Sequence, residues 1–141
     1  MITFLPYSNF IRSVEKLDNK RLGKQRVEAM QIVKTLTEGS KWKNHPAVKM
    51  WEGHIEALKY YHNCCINEWI KRGFNNTMQL YNVTKYDYPW WVGDEDFHRA
   101  MRARLIEKDE QYYLPKFPGD KGFNGGKYLW PVMENKTFRI I

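Results

Sequence analysis

A chain of 141 residues, 43% hydrophobic and 16% aromatic, can build one domain around one core and is not a disordered basic tail. Its formal charge is +7, with ten cations against four anions in residues 1–50 and thirteen against twelve in the remainder. The first third therefore carries the basic face, which predicts a polyanionic partner. No apolar run approaches the length of a membrane span and no signal-peptide pattern follows Met1, so neither a membrane partner nor secretion is expected. Cys64 and Cys65 are the only cysteines; being adjacent, they exclude a disulfide framework.

The first predicted helix runs from an Asp18 cap to about Leu36, with Thr37 to Ser40 as its stop. At about 100° per residue, Leu22, Ala29, Val33 and Leu36 form one apolar stripe. Lys20, Arg21, Lys24, Glu28 and Gln31 share the polar face, three cations around one carboxylate. The second predicted helix shows the clearest periodicity, with Val48, Trp51, Ile55, Leu58, His62, Cys65 and Trp69 in steps of three and four. Asn44 or His45 caps it, Pro46 occupies its first turn and Gly73 ends it, making it the expected central core helix. A third helix is expected from Asp94 to about Lys108, with Phe97, Met101 and Leu105 on one side. Residues 74–92 and 109–141 show no sustained period and no convincing strand. They read as ordered irregular structure held by tryptophans, tyrosines and prolines. The expected fold is all-α, a compact three-helix single domain over residues 1–141 with long aromatic-rich loops and an irregular C-terminal segment.

Metal chemistry is not expected, because His45, His54, His62 and His98 lack the close pairing of zinc sites. His62 lies on the apolar stripe and reads as a core histidine. The glycine run Gly119 to Gly126 lacks phosphate-loop spacing, and no cofactor is predicted. The distinctive feature is the basic face of the first helix. One reading of it is an ordinary solvated face with an i,i+4 pair between Lys24 and Glu28. The other makes Lys20, Arg21 and Lys24 phosphate contacts, in which case Glu28 opposes binding and needs another reason to be present. General acid/base chemistry on a sugar or base is such a reason.

The segment Leu17-Asp-Asn-Lys-Arg-Leu-Gly-Lys-Gln-Arg-Val-Glu28 resembles the first helix of the pyrimidine dimer DNA glycosylase family, the phage endonuclease V type. Glu68-Trp-Ile-Lys-Arg-Gly-Phe-Asn75 is similar to that family's Lys-Arg-Gly-Phe-Asn helix terminus. Looser similarity attaches to His98 with Ala103-Arg104-Leu105 and Tyr112-Tyr113, and to Asn44-His45-Pro46. The resemblance implies a helical fold that grips double-stranded DNA on a concave basic surface and flips a base out, and hence an intracellular protein associated with DNA, with a monomer favoured. It implies duplex contacts from Lys16, Lys20, Arg21, Lys24, Arg26, Gln31, Lys71, Arg72, His98 and Arg102, with Gln31 standing where the family carries an arginine.

For catalysis, the resemblance implies an N-terminal α-amine that attacks the sugar C1′, assisted by Glu28. The family exposes a threonine amine by removing methionine, whereas this chain begins Met1-Ile2-Thr3, and methionine is retained before isoleucine. The available amine is therefore that of Met1, on a segment longer than its phage counterpart. Three readings follow. The first is a sequence-independent duplex binder with lost or weak catalysis, which the altered terminus ranks ahead. The second is an active DNA glycosylase and abasic-site lyase using Met1 and Glu28. The third is an RNA-binding or protein-interaction domain using Tyr81 to Trp91 as a stacking surface.

Overall fold

The computed structural model describes residues 1–140. Its helices are α1 (Phe10–Glu15), α2 (Asn19–Glu38), α3 (Pro46–Lys49), α4 (Ile55–Lys71), α5 (Glu95–Lys108) and α6 (Glu110–Tyr113). A one-turn 3-10 helix, Phe123–Gly126, leads into an antiparallel hairpin of β1 (Leu129–Val132) and β2 (Thr137–Ile140). The protein is thus mostly helical, and the all-α expectation is corrected by this hairpin. Pro131 counts against a strand in a sheet interior; a two-stranded ribbon has no interior, and it accommodates Pro131 opposite Phe138.

Capping explains where α2 and α5 start. Asp18 accepts from the Arg21 N–H at 3.3 Å and Asp94 from the Phe97 N–H at 3.0 Å, each satisfying one orphan donor of a helix start. Asp18 is fixed in turn by Tyr113, whose backbone is ninety-five residues away in sequence. The Asp18 N–H donates to the Tyr113 hydroxyl oxygen at 2.9 Å, and that hydroxyl donates to the Asp18 carboxylate. Although burial opposes it, these bonds and Arg21 hold the Asp18 pKa below the usual carboxylate range.

The single long helix expected over Val48 to Trp69 is two helices. Its chain turns at Met50 to His54, where Gly53 adopts φ 79°, a left-handed conformation that favours glycine. The periodicity ran through the break because Val48 and Trp51 before it and Leu58 and Cys65 after it all enter the same core. Of the two proposed caps, His45 serves: its Nδ1 accepts from the Ala47 N–H at 3.0 Å. α1 and α6 were not expected; each is a turn or so long, too short to show a period.

The core lies between α2 and α4, with α5 and the hairpin closing one side. Trp51 and Trp91 are fully buried with ring centroids 4.9 Å apart, edge to face, a favourable arrangement for aromatic quadrupoles. Close approach of α2 and α4 depends on Gly23: a Cβ there would stand 3.1 Å from the Trp69 ring. His62 is buried as expected, and burial lowers its pKa. Tyr86 stacks on Tyr60, Tyr88 packs edge-on against Phe10, and Trp91 is buried. The aromatics of residues 81–91 thus cover the core and do not present a row of free ring faces.

Candidate functional site

The N-terminal segment Ile2 to Pro6 is an extended strip with no sheet partner. Its backbone groups still require hydrogen bonds once buried, and side chains from three helices supply them. Gln25 of α2 donates from Nε2 to the Ile2 carbonyl at 2.8 Å and accepts at Oε1 from the Phe4 N–H at 2.7 Å. The Tyr61 hydroxyl of α4 stands 2.8 Å from the Phe4 carbonyl and 2.6 Å from Gln25 Oε1, its one proton shared between these two acceptors. His98 of α5 donates from Nδ1 to the Leu5 carbonyl at 2.8 Å, and Arg102 of α5 donates to the Pro6 carbonyl at 2.8 Å. Thr3, fully buried, accepts the Trp51 indole N–H through its hydroxyl at 3.0 Å. Every residue from 2 to 6 is therefore tied down by at least one side chain.

This strip ends at Glu28. The Ile2 N–H donates to Glu28 Oε2 at 3.0 Å, and Gln25 Nε2 approaches the same oxygen at 3.4 Å. The Ile2 bond sets the Met1 end beside the carboxylate. His45 is close enough to feel both groups. Burial lowers its pKa, the terminal amine lowers it further, and Glu28 opposes them. With Nδ1 accepting from Ala47, the neutral ring carries its proton on Nε2.

Cations surround the carboxylate from two helices. Lys20 and Lys24 are exposed on α2, beside Glu28 in an open groove that also takes in Gln31 and Trp69. From α5, Lys108 is near enough to Lys24 and Glu28 to feel their charges, and Arg104 lies beside Lys108. Burial lowers the Lys108 pKa, and Arg104, Arg21 and Lys24 push it the same way against the pull of Glu28. Among the described residues, Lys20, Lys24, Arg104 and Lys108 form no ion pair. Arg104 Nε is buried without a hydrogen-bond partner, a costly state for a charged group. Arg104 and Lys108 were missing from the predicted set. Their spacing of four, about 200° around α5 from Arg102, is the signal that could have separated them.

Several predicted contacts have other work. Arg102 is buried and bonds to Asp120 and Glu95 at 2.8 Å each, besides Pro6; its guanidinium is consumed by the fold. His98 is buried with both ring nitrogens engaged, Nδ1 to Leu5 and Nε2 accepting from the Gly93 N–H at 2.9 Å. Burial is the main reason its pKa is lowered. Arg72 donates to Asn19 and to the Val14 and Glu15 carbonyls, clamping the end of α1. Arg26 lies over the Trp69 ring at 4.2 Å and Arg21 pairs with Asp18 at 3.1 Å. Lys16 caps the end of α1, and Lys71 lines a separate cleft between α1 and α4. The arrangement thus brings together Met1, Lys20, Lys24, Glu28 and Gln31 of the predicted set, and sets Arg102, His98 and Arg72 apart as structural.

Among the described residues, no group of three or more His, Cys, Asp or Glu side chains is placed to hold a metal ion, and no helix is long and apolar enough to cross a membrane. Burial raises the Cys64 thiol pKa to about 11 and pushes Cys65 up as well, so neither is an activated nucleophile. Comparison with curated proteins and with solved structures gives no match. The family model for pyrimidine dimer DNA glycosylase matches residues 1–82, the part that carries the N-terminal strip, Glu28, His45 and α4. On that match, covering more than half of its length, the chain belongs to the pyrimidine dimer DNA glycosylase family.

Proposed function

We propose that this protein binds duplex DNA over the basic face of α2, with Arg104 and Lys108 of α5 beside it, and acts there as a DNA glycosylase and abasic-site lyase. The observation that carries the reading is the Ile2 nitrogen 3.0 Å from Glu28 Oε2, at the end of a strip bonded at every residue. Such a strip orders about five residues at roughly 1–2 kcal/mol each, and what it delivers is a terminal amine beside a carboxylate.

The chemistry follows from those two groups. An α-amine has an ordinary pKa near 7.7–8.0, so a substantial fraction is neutral and nucleophilic at physiological pH. The Met1 amine adds to C1′ as the glycosidic bond breaks and its electron pair leaves with the base. Glu28 takes up the proton that the attacking amine loses and returns it to O4′ as the C1′–O4′ bond breaks, so that ring opening gives the protonated imine. Removal of a C2′ proton then expels the 3′ phosphate. Lys20, Lys24, Arg104 and Lys108 hold the phosphates on either side.

The test is borohydride trapping on duplex DNA carrying an abasic site. The expected result is a covalent adduct that maps to Met1 by peptide mass and is lost by at least about 100-fold in rate in Glu28→Gln. Absence of an adduct at saturating protein overturns the lyase reading. The binder with lost catalysis, which uses the same surface, is then the function supported.

A further inference from the structure

Gln25 contacts both the N-terminal strip and the carboxylate, and no role in the chemistry proposed above depends on it so far. It is buried at 1% exposure in the middle of α2, a position where an uncharged amide would normally be replaced by an apolar residue. Its two ends do different things. Oε1 accepts from the Phe4 N–H at 2.7 Å and the Tyr61 hydroxyl at 2.6 Å, linking α2, α4 and the strip. Nε2 donates to the Ile2 carbonyl at 2.8 Å and approaches Glu28 Oε2 at 3.4 Å, the oxygen that also receives the Ile2 N–H. One amide thus has a structural end and an end directed at the reacting groups.

We infer that Gln25 is a positioning residue: its Nε2 sets the Met1–Ile2 backbone and the Glu28 carboxylate in register with each other, so that the terminal amine faces the abasic sugar with its proton acceptor already aligned. This rests on the lyase reading for its consequence, although the positioning itself does not. Two short bonds at Oε1 and one at Nε2 leave the amide no freedom to flip. A buried network in which every polar atom is satisfied is rigid. The carboxylate would otherwise be free to rotate away toward Lys24, which shares its groove.

The substitution that separates the two ends is Gln25→Glu. It keeps the acceptor for Phe4 and Tyr61 and removes both Nε2 donations. Tyr61→Phe does the reverse, removing a structural hydroxyl and leaving Nε2 in place. Two readouts are taken on the full chain. One is the single-turnover rate of borohydride-trapped imine on abasic duplex, together with duplex affinity. The other is hydrogen exchange of the Ile2 and Phe4 amides by NMR. For Gln25→Glu the expected results are a trapping rate lower by about tenfold or more, duplex affinity within about twofold, and loss of Ile2 amide protection with Phe4 protection kept. Tyr61→Phe should be less stable but trap within about threefold of wild type once corrected for folded fraction. Wild-type trapping and wild-type Ile2 protection in Gln25→Glu would overturn the inference. If the wild-type protein traps nothing, the lyase reading fails. The exchange data then decide on their own: Ile2 protection lost in Gln25→Glu upholds the positioning, and protection retained overturns it.

Discussion

Helix α5 carries two pairs of cations on opposite sides, and they meet opposite fates. Arg99 and Arg102 face the 116–120 loop, where Asp120 bonds to both, at 2.9 and 2.8 Å, and Glu95 takes the remaining Arg102 nitrogen at 2.8 Å. Arg104 and Lys108 face α2, where the neighbouring side chains Arg21 and Lys24 are also cationic and Glu28 is the single opposing charge. The first pair is part of the folded framework. The second forms no ion pair within the fold. Net charge does not distinguish these sides, since both contain two arginine or lysine residues. What distinguishes them is whether the fold brings a carboxylate to each.

That comparison can be broken or sharpened at several points. The largest effect expected is on stability at the compensated side. Asp120→Ala strips the main partner from buried Arg102 and should destabilise the protein by about 3 kcal/mol, read as a lower urea midpoint, with duplex affinity per folded molecule unchanged. A matching loss of affinity would mean that the two sides are not independent. Next is the basic face of α2. Lys20→Ala with Lys24→Ala should leave the urea midpoint nearly unchanged and lower duplex affinity by about tenfold near 0.15 M salt, equally for unrelated sequences, with the salt slope smaller by about two. Arg104→Gln should act in the same sense with a slope change of about one, whereas Arg99→Gln should have no effect on binding; equal behaviour of the two would remove α5 from the interface.

The smallest effect is a pH dependence of the framework. His45, His62 and His98 are lowered from the ordinary histidine value chiefly by burial. Well above about pH 6.5 neither folded nor unfolded chain protonates them. As pH falls below that value the unfolded chain takes up protons first, so stability should fall between about pH 7 and pH 5. Urea melts across that range check it, and His62→Gln should flatten the slope.

Much of the local structure was legible in the residues. Asp18 and Asp94 cap where a short acceptor precedes an apolar period, and Gly73 ends α4 with φ 88°, a conformation that only glycine adopts without strain. The polar face of α2 also stood where the helical angle put it, with Lys20 and Lys24 exposed and Glu28 one turn beyond Lys24. The break between α3 and α4 was not legible, because a hydrophobic period records which residues face the core and is indifferent to whether one helix or two present them. Nor was the hairpin, whose eight strand residues are too few to establish alternation and include a proline.

By itself, then, the sequence determined the basic face, the carboxylate within it, the helix ends and the family, because each is a matter of spacing along one element or of a short motif. Tertiary structure decided which cations remain free, that His98 and Arg102 are consumed in pinning residues 5 and 6, and that the Met1 end lies beside Glu28. These depend on bonds between residues 18 to 96 positions apart in sequence, such as Arg102 to Asp120 and Pro6 or Tyr61 to Phe4. Such bonds form because burial leaves backbone and charged groups no other partner, and a linear pattern carries no record of which distant residue will supply it.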